Sequence, residues 1–437
     1  MINTAELKWI RFVTGLLMAF AASVTAIAQE NVYLRAESKM FERMPLIIHQ
    51  TTAVNVGDEK FVKEFMSTLQ TDLWYSNVIE PLTAANGNSD DAAGSGKAAT
   101  FYLETQLKGV GEELIAEYAI MEVGTDRPVA RNEFRGCRSA VRLLAHWLVD
   151  DLVFQLTGEN GIAKTRICFV TSVYHYKEIG VVDYDGHNKS FVTQNRELNL
   201  TPEWTIDGQR IIFTSYKNQN PDLFDVGISD KKEFAFFSSP GLETSPAISP
   251  DGKEIAFVST KDGNAEIYVV STSGRNLRRL TNHGSIDTSP DWSPDGREIV
   301  FSSDRTGKPQ IYVMNADGSN QRRLPVDLAY CDSPVWSPKG DRIAFVSRSD
   351  SGFDIFVYLP GTGEVLQLTV SQGSNEDPCW SPDGFQLAFS STRDAGKRDI
   401  YTMFWDGSQV LRLTFSGNCS SPSWSPNFRN SSELSCE

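Results

Sequence analysis

Short apolar runs return at a constant spacing along the second half of the chain. Each run is rich in β-branched and aromatic residues and begins seven residues after an anchor position that is usually tryptophan. Runs of this composition, bounded by turn residues, are typical of buried β-strands. The runs begin at residues 211, 255, 299, 343 and 387. The anchors are Trp204, Ile248, Trp292, Trp336, Trp380 and Trp424, and successive anchors are 44 residues apart.

The residues around each anchor predict turns and further strands. A proline stands two residues before every anchor, and Ser-Pro-Asp-Gly or a variant follows it. This sequence suits a β-turn, because proline presets φ and glycine accepts the closing position. Beyond the apolar run, an acid-apolar-aromatic triplet and a Leu-Thr segment predict a third and a fourth strand. A repeat of about 40 to 45 residues that holds four strands is typical of a propeller blade. An irregular β-sandwich is the alternative, but it requires no fixed period.

The two ends of the array predict how a ring would close. One period before Trp204 lies Asn160, where the anchor is missing, yet the apolar run at Ile167 keeps its register. Trp424 is an anchor with no blade after it. Pairing of the C-terminal strand with the strands near residue 170 therefore makes six blades and removes exposed sheet edges. We predict an all-β six-bladed β-propeller over residues 161–426, closed by its C-terminal strand and followed by a tail at 427–437.

Residues 29–160 lack the repeat and predict a separate α+β domain. Alternating polar and apolar segments predict strands, and apolar residues at helical spacing over Glu59–Leu69 and Ser139–Leu156 predict two helices. The small, polar segment at 83–99 predicts a flexible loop. The fold class is therefore an α+β N-terminal domain followed by a propeller.

The second predicted helix carries three residues that could suggest acid-base chemistry. These are His146, Asp150 and Asp151. Because nothing nearby supplies a nucleophile, we expect them on a solvated face of the helix. Gly158 is a suitable C-terminal stop for this helix.

The first 28 residues have the pattern of a secretory signal peptide. Lys8 and Arg11 precede an apolar run at 12–24, and Ala26 and Ala28 form a small-residue cleavage pattern. The run is shorter than the ~20 residues that cross a bilayer. We predict export, cleavage after Ala28 and no membrane span in the mature chain.

The charge of the chain disfavours nucleic acid as a partner. The formal net charge is −15, and the predicted signal peptide contributes two basic residues and one acidic residue. Such a surface repels phosphate backbones, whereas it can attract a basic partner.

The cysteines and histidines give no support for a metal site or a cofactor. The chain has no Cys-x-x-Cys and no His-Glu-x-x-His, and the acidic "DYDG" at 183–186 falls on a predicted hairpin turn. An even number of cysteines in an exported chain can indicate disulfides. Cys331 and Cys419 are two blades apart, however, and packed sheets lie about 10 Å apart, so we expect no bridge between them. The six cysteines are Cys137, Cys168, Cys331, Cys379, Cys419 and Cys436.

Three features together resemble the TolB family, the exported propeller proteins of the Tol-Pal envelope system in Gram-negative bacteria. The first is the "WSPDG…IAF.S…IY" repeat, the second is "AHWLVDDLVFQLTGENGIAKTRICFV" at 145–170, and the third is "DLWYSNVIEPL" at 72–82. The resemblance implies a non-enzymatic periplasmic adaptor that supports outer-membrane integrity and cell division. It also implies two partners, the lipoprotein Pal at a propeller mouth and the inner-membrane protein TolA at the mature N-terminal segment. For TolA, the implied contacts are Asn31, Val32, Tyr33, Leu34 and Arg35, which could equally form the first strand of the N-terminal domain.

Positions just before each anchor predict the surface that meets the main partner. Every copy leads into the innermost strand, so residues five and four positions before the anchors should surround one mouth of the channel. Residue types vary here while the geometry repeats, as expected of a surface that fits an asymmetric partner, although a solvated rim would look similar. The predicted mouth contacts are Asn199, Glu243, Asp287, Cys331, Asp332, Asn375, Glu376 and Cys419, with Leu200, Thr244, Thr288 and Ser420 beside them.

Two other classes of function stay open from the sequence. A peptidase is disfavoured, because no serine lies in the Gly-x-Ser-x-Gly elbow of a hydrolase domain. A glycosidase would need paired carboxylates about 5 to 9.5 Å apart, and acidic residues do occur near the predicted axis. A sensor of a sugar or another small ligand in the channel is the third alternative.

Overall fold

The computed structural model describes residues 43–83, 99–349 and 352–427. The predicted signal peptide, the segment Asn31–Arg35, most of the predicted loop at 83–99 and nearly all of the predicted tail lie outside the described residues. Among the described helices, none is long and apolar enough to cross a membrane.

The N-terminal region is a mixed sheet covered on one face by two helices. The sheet has the order β3-β1-β4-β5-β6, and β2 pairs with β4. The helices α1 and α2 pack on the face of the sheet that carries Leu103, Leu107 and Ile120. The strands are β1 (Met44–Ile48), β2 (Thr52–Val54), β3 (Ile79–Thr83), β4 (Phe101–Val110), β5 (Glu113–Glu122) and β6 (Pro128–Cys137). The helices are α1 (Glu59–Tyr75) and α2 (Val141–Thr157).

Local chemistry explains where α1 begins and where α2 ends. The side chain of Asp58 accepts a hydrogen bond from the Lys60 amide at the start of α1, which satisfies one free N–H group of the first turn. Gly158 adopts φ 75° at the end of α2, a left-handed conformation that glycine reaches without strain. The predicted stop of this helix at Gly158 is therefore confirmed.

The prediction that His146 and Asp150 lie on a solvated face of α2 is wrong. Both side chains are buried. Asp150 accepts hydrogen bonds from the Ala163 and Lys164 amides at 2.8 and 3.2 Å, which ties the linker at 158–165 to the helix. Periodicity identified the apolar face of α2, but the second face is covered by the propeller, and one chain segment alone does not reveal such a contact.

Six four-stranded antiparallel sheets follow, and each is one blade. Blade 1 contains β10 (Asn199–Trp204), β11 (Arg210–Ser215), β12 (Asp222–Gly227) and β13 (Glu233–Phe237). Blade 2 contains β14 (Glu243–Ile248), β15 (Glu254–Ser259), β16 (Glu266–Ser271) and β17 (Arg278–Arg279). Blade 3 contains β18 (Asp287–Trp292), β19 (Glu298–Ser303), β20 (Gln310–Asn315) and β21 (Arg322–Arg323).

The remaining blades have the same plan. Blade 4 contains β22 (Cys331–Trp336), β23 (Ile343–Ser349), β24 (Gly352–Leu359) and β25 (Glu364–Gln367). Blade 5 contains β26 (Asn375–Trp380), β27 (Gln386–Ser391), β28 (Asp399–Phe404) and β29 (Leu411–Arg412). The closing blade contains β30 (Cys419–Trp424), β7 (Arg166–Val173), β8 (Tyr176–Asp183) and β9 (Ser190–Phe191).

The closing blade joins the two ends of the propeller sequence. β30 pairs with β7 in an antiparallel ladder, with Trp424 opposite Ile167 and Cys419 opposite Thr171. The predicted six-bladed propeller closed by its C-terminal strand is confirmed. All six innermost strands begin five residues before an anchor and end at that anchor.

Three of the tryptophan anchors, Trp204, Trp292 and Trp380, bond to the blade before them. The indole Nε1 of Trp292 donates to the Ala247 carbonyl at 3.1 Å, and that of Trp380 donates to the Val335 carbonyl at 3.2 Å. A phenylalanine in the second strand of every blade is fully buried, which gives each blade a large apolar centre. These residues are Phe169, Phe213, Phe257, Phe301, Phe345 and Phe389.

Candidate functional site

The two faces of the propeller differ in what covers them. We call the face that carries the turns after the anchors the domain face, because the described contacts of the N-terminal region lie there. The Gln386 side chain donates to the Tyr75 carbonyl at 2.7 Å, and Lys339 pairs with Glu159. The opposite face carries the loops between second and third strands and the loops from blade to blade. We call its channel opening the open mouth.

The six side chains five positions before the anchors are not at the surface. All are fully buried, so their burial contradicts their prediction as partner contacts. This correction applies to Asn199, Glu243, Asp287, Cys331, Asn375 and Cys419.

A hydrogen-bond network inside the blades explains why these buried positions are polar. Ser215 donates to Asn199 at 2.7 Å, and Ser391 donates to Asn375 at 2.7 Å, in each case from the second strand of the same blade. Asn375 also donates to Asp354 of the preceding blade at 3.1 Å. A buried polar group needs such partners to avoid a desolvation penalty. These residues therefore hold neighbouring blades together.

Glu243 and Asp287 belong to the same network. Ser259 donates to Glu243 at 2.9 Å, and Arg305 contacts both carboxylate oxygens of Asp287 at 2.9 and 3.1 Å. Burial raises the pKa of both carboxyl groups, although hydrogen bonds oppose the shift. The residue at this position differs among the six blades because different side chains can form the hydrogen bonds that the same buried position requires.

The residues four positions before the anchors do reach solvent. All six are partly exposed at the open mouth. They are Leu200, Thr244, Thr288, Asp332, Glu376 and Ser420. Of the eight predicted mouth contacts, only Asp332 and Glu376 keep an exposed surface.

Each of the two acids at the open mouth accepts a hydrogen bond, and only Glu376 has a charged partner among those described. Arg398 donates to Glu376 at 2.6 Å, and the Tyr330 hydroxyl donates to Asp332 at 3.0 Å. Burial raises the pKa of Glu376, but hydrogen bonds from Arg398 and Ser374 outweigh it, and the net shift is downward. Burial, together with the charges of Asp332 and Glu376, raises the pKa of Tyr330 to about 12. Asp332 of blade 4 is thus held by a neighbouring hydroxyl and Glu376 of blade 5 by a guanidinium.

Large apolar side chains are exposed on loops of the face that carries the open mouth, and they were not among the residues predicted from the sequence. Tyr174 is 94% exposed and Phe415 is 74% exposed. Both belong to loops of the closing blade, since Tyr174 joins β7 to β8 and Phe415 precedes β30. Aromatic residues in a short loop between two predicted strands could have indicated exposed apolar side chains from the sequence. We call this set the apolar rim, and it consists of Tyr174, Tyr176, Leu198, Ile286, Val370 and Phe415.

Below the mouth, a bulge interrupts every innermost strand. The ladder of β10 and β11 shifts register between Leu200 and Glu203, and equivalent shifts occur in the other five blades. The bulged residue has a left-handed backbone and precedes the repeated proline, which cannot donate to the ladder. The bulged residues are Thr201, Ser245, Ser289, Ser333, Asp377 and Ser421.

The bulges line a narrow cavity of about 170 Å³ in the channel. Three acids lie at its wall, namely Glu203, Asp291 and the bulged Asp377. Burial raises the pKa of Glu203 to about 8, against a hydrogen bond from Ser423, and raises the pKa of Asp291 to about 7. Asp291 accepts a hydrogen bond from the Trp336 amide at 2.6 Å, which links blade 3 to blade 4. These channel acids were seen only as a general possibility in the sequence.

The free thiols of the described residues are Cys168, Cys331, Cys379 and Cys419. The expectation that Cys331 and Cys419 do not bridge is confirmed.

Comparison with known proteins supplies the family. The model described as the TolB beta propeller domain matches residues 153–358 and 328–431, which together are more than half of the chain. The chain belongs to the TolB β-propeller family. This confirms the resemblance seen in the repeat.

Individual relatives agree with the family. The chain is 38% identical over 217 residues to the Tol-Pal system protein TolB of Geobacter sulfurreducens, covering 47% of this chain and 50% of the relative. It is 30% identical over 245 residues to the Tol-Pal system protein TolB of Cereibacter sphaeroides, covering 53% of this chain and 55% of the relative. The chain thus spans about half the length of the curated relatives it matches. The crystal structure of TolB from Acinetobacter baumannii superimposes with a TM-score of 0.74 at 24% identity, covering 89% of this chain and 98% of that chain. That likeness shows the shared fold.

Proposed function

We propose that this protein is a non-enzymatic adaptor of the Tol-Pal system in the periplasm, where it supports outer-membrane integrity and cell division. In this proposal, Pal binds at the open mouth and TolA binds the mature N-terminal segment. The observation that carries the proposal is the asymmetry of the propeller. The N-terminal domain packs on one face, while the other face presents a rigid ring with exposed aromatic side chains.

The chemistry of the open mouth favours a folded protein partner. Exposed aromatic residues that surround a polar centre are typical of protein interfaces, where tyrosine and other aromatics contribute much of the binding energy. Tyr174 and Phe415 supply such side chains at the closing blade. Asp332 and Glu376 supply acids at blades 4 and 5, so a partner with basic groups facing them is favoured.

The channel supports an adaptor better than an enzyme. Ligand pockets usually have volumes of about 300 to 1,000 Å³. The channel cavity of about 170 Å³ is too small for an oligosaccharide or a peptide. The raised pKa values of Glu203 and Asp291 follow from burial. A cavity this narrow leaves no room beside these buried acids for a polymeric substrate.

Calorimetric titration of the mature chain with the soluble part of Pal tests the first half of the proposal. We expect saturable binding that weakens as salt rises above the ~0.1 M range where screening becomes effective. Hydrolysis of glycans or peptides by the purified chain, without Pal binding, would contradict an adaptor.

A second experiment tests the TolA half. Replacing Asn31, Val32, Tyr33, Leu34 and Arg35 by alanine is expected to abolish capture of TolA and leave Pal binding unchanged. A chain that begins at Phe41 provides a second form of the same test. Full capture of TolA by both variants would show that TolA contacts another part of the protein.

A further inference from the structure

Five polar side chains, three of them buried, meet where the N-terminal domain contacts the closing blade. Asp72 comes from α1, Arg142 and His146 come from α2, and Tyr184 and Asp185 come from the turn after β8. Asp72, His146 and Tyr184 are 1%, 3% and 3% exposed. The cluster therefore joins two units of the fold through groups that are costly to bury unless they are paired.

His146 lies between a carboxylate of each unit. Its Nδ1 is 2.7 Å from Asp72 Oδ2, and its Nε2 is 3.7 Å from Asp185 Oδ2. The buried Nε2 has no hydrogen-bond partner among the described residues. The Tyr184 hydroxyl donates to the other oxygen of Asp72, and the Tyr184 ring contacts the imidazole edge-on at 5.9 Å. One nitrogen is thus held by the N-terminal domain while the other faces the propeller.

The arrangement fits an imidazolium ion. A neutral imidazole has one N–H and one lone pair, so it can satisfy one carboxylate but must turn its lone pair toward the other. The doubly protonated ring presents an N–H to both. We propose that His146 is a proton-operated clamp, whose charged form holds the N-terminal domain on the closing blade through Asp72 and Asp185.

A metal ion fits this cluster less well. Ligand atoms of Asp72, His146 and Asp185 lie within 4.8 Å of one another. However, the two carboxylates face different nitrogens of one ring, so a single ion would leave one of them without its present partner. The Arg142 guanidinium also contacts Asp185, and a second cation there would be repelled.

The other charged groups around His146 set the sign of its response to pH. Arg142 belongs to the same helix and opposes protonation, as does burial of the ring. His187, on the propeller turn, lies 3.2 Å from Asp185 and 3.1 Å from Arg142, and Asp150 and Lys164 form a neighbouring pair. Burial lowers the pKa of His146. The charge of Asp72, its hydrogen bond and the charge of Asp185 raise the pKa by more than burial lowers it, so the net shift is upward. Burial also raises the pKa of Asp72.

The upward shift of the His146 pKa makes docking depend on pH. A group whose pKa is higher in the docked state holds its proton more tightly there, so it stabilises docking below its free pKa and loses this effect as pH rises through its docked pKa. The clamp should therefore be closed at acidic pH and weaken at alkaline pH. One titrating proton changes the opening equilibrium by at most about tenfold per pH unit.

Histidine NMR and hydrogen exchange test the clamp in the full mature chain. We expect the His146 ring to titrate above the usual pH range of a histidine. After correction for intrinsic exchange, exchange of amides in the linker at 158–165 and the turn at 184–187 should accelerate as pH rises. His146→Gln keeps one donor for Asp72 but cannot be charged, so it should remove this dependence. His175→Gln is the matched control and should retain it.

Asp185→Asn gives a second test that does not alter the helix. It should lower the midpoint of the His146 titration and increase opening at acidic pH, where the clamp is strongest. An unchanged pH dependence of opening in both His146→Gln and Asp185→Asn would overturn the proposal.

Titration of the mature chain with zinc, and reversal with a chelator, tests whether the cluster is instead a metal site. Tight zinc binding that shifts the His146 ring signals and closes the interface would also overturn it, because the cluster would then be a metal site.

Discussion

Trp204 of blade 1 donates its indole N–H to the carbonyl of Ser423 in the closing blade, at 3.1 Å and 219 residues along the chain. Trp424, the anchor of the closing blade, donates instead to the hydroxyl of Thr165, just before β7 of the same blade, at 2.8 Å. These two bonds join the beginning and the end of the propeller sequence. Closure therefore depends on the anchors as well as on the ladder of β30 with β7.

The first prediction concerns this closure. Trp424→Ala removes a buried aromatic side chain and the bond to Thr165, so we expect it to lower the free energy of unfolding by about 3 to 5 kcal/mol. Urea unfolding measures the change. Trp74→Ala is the matched control, because Trp74 lies half-exposed on α1 and should cost much less. Equal losses in the two variants would contradict a closing function of Trp424.

Deletion of 420–437 should destabilise the propeller more than Trp424→Ala, since it removes all but the first residue of β30. A cooperative melt of the truncated chain at the original temperature would refute closure by β30.

The second prediction separates buried from exposed acids at the mouth. Glu243→Ala leaves the Ser239 and Ser259 hydroxyls without their acceptor and should destabilise the fold by about 1 to 3 kcal/mol. Glu376→Ala, at the partly exposed ring, should change stability little and weaken Pal binding. Thermal melts combined with Pal titration measure both effects. If Glu376→Ala proves the more destabilising of the two, the assignment of structural and surface positions is wrong.

The third prediction concerns the apolar rim. Tyr174→Ala combined with Phe415→Ala should lower Pal affinity by at least about tenfold, or ~1.4 kcal/mol, because truncation of aromatic anchors commonly costs this much. Phe234→Ala is the control, since Phe234 is also exposed but lies on the outermost strand of blade 1. Calorimetry measures the affinities, and circular dichroism verifies the fold. Undiminished affinity in the double variant would place the Pal site away from the closing blade.

The fourth prediction concerns the channel acids and pH. Burial raises the pKa of Glu203 from the usual 4.5 to about 8, so the folded state holds a proton that the unfolded state releases. This contribution to stability is present below the unfolded pKa and is lost as pH rises through the folded pKa. The melting temperature should therefore fall between about pH 4.5 and pH 8, and Glu203→Gln should flatten that fall. Exposed Glu64 provides the control substitution Glu64→Gln, which should not change the profile.

The sequence by itself determined the architecture of the propeller. The spacing of 44 residues located every anchor, and the missing anchor at Asn160 together with the extra one at Trp424 predicted the closing strand. This was possible because each blade repeats one local solution, with a turn after the anchor and an apolar second strand. Local propensity and the hydrophobic pattern agree in every copy, so such a repeat can be recognised from the sequence.

Only the tertiary structure decided which of the repeated positions face solvent. Asn375 and Glu376 are neighbours in the chain, yet Asn375 is buried against Asp354 and Ser391 while Glu376 reaches the mouth. A polar residue in a strand can face water or satisfy a buried partner from another blade, and its identity does not distinguish the two. The same reason explains His146, whose partners Asp72 and Asp185 lie 74 and 39 residues away and meet it only when the two units pack together. Burial of polar groups depends on contacts between distant segments, and local sequence does not encode those contacts.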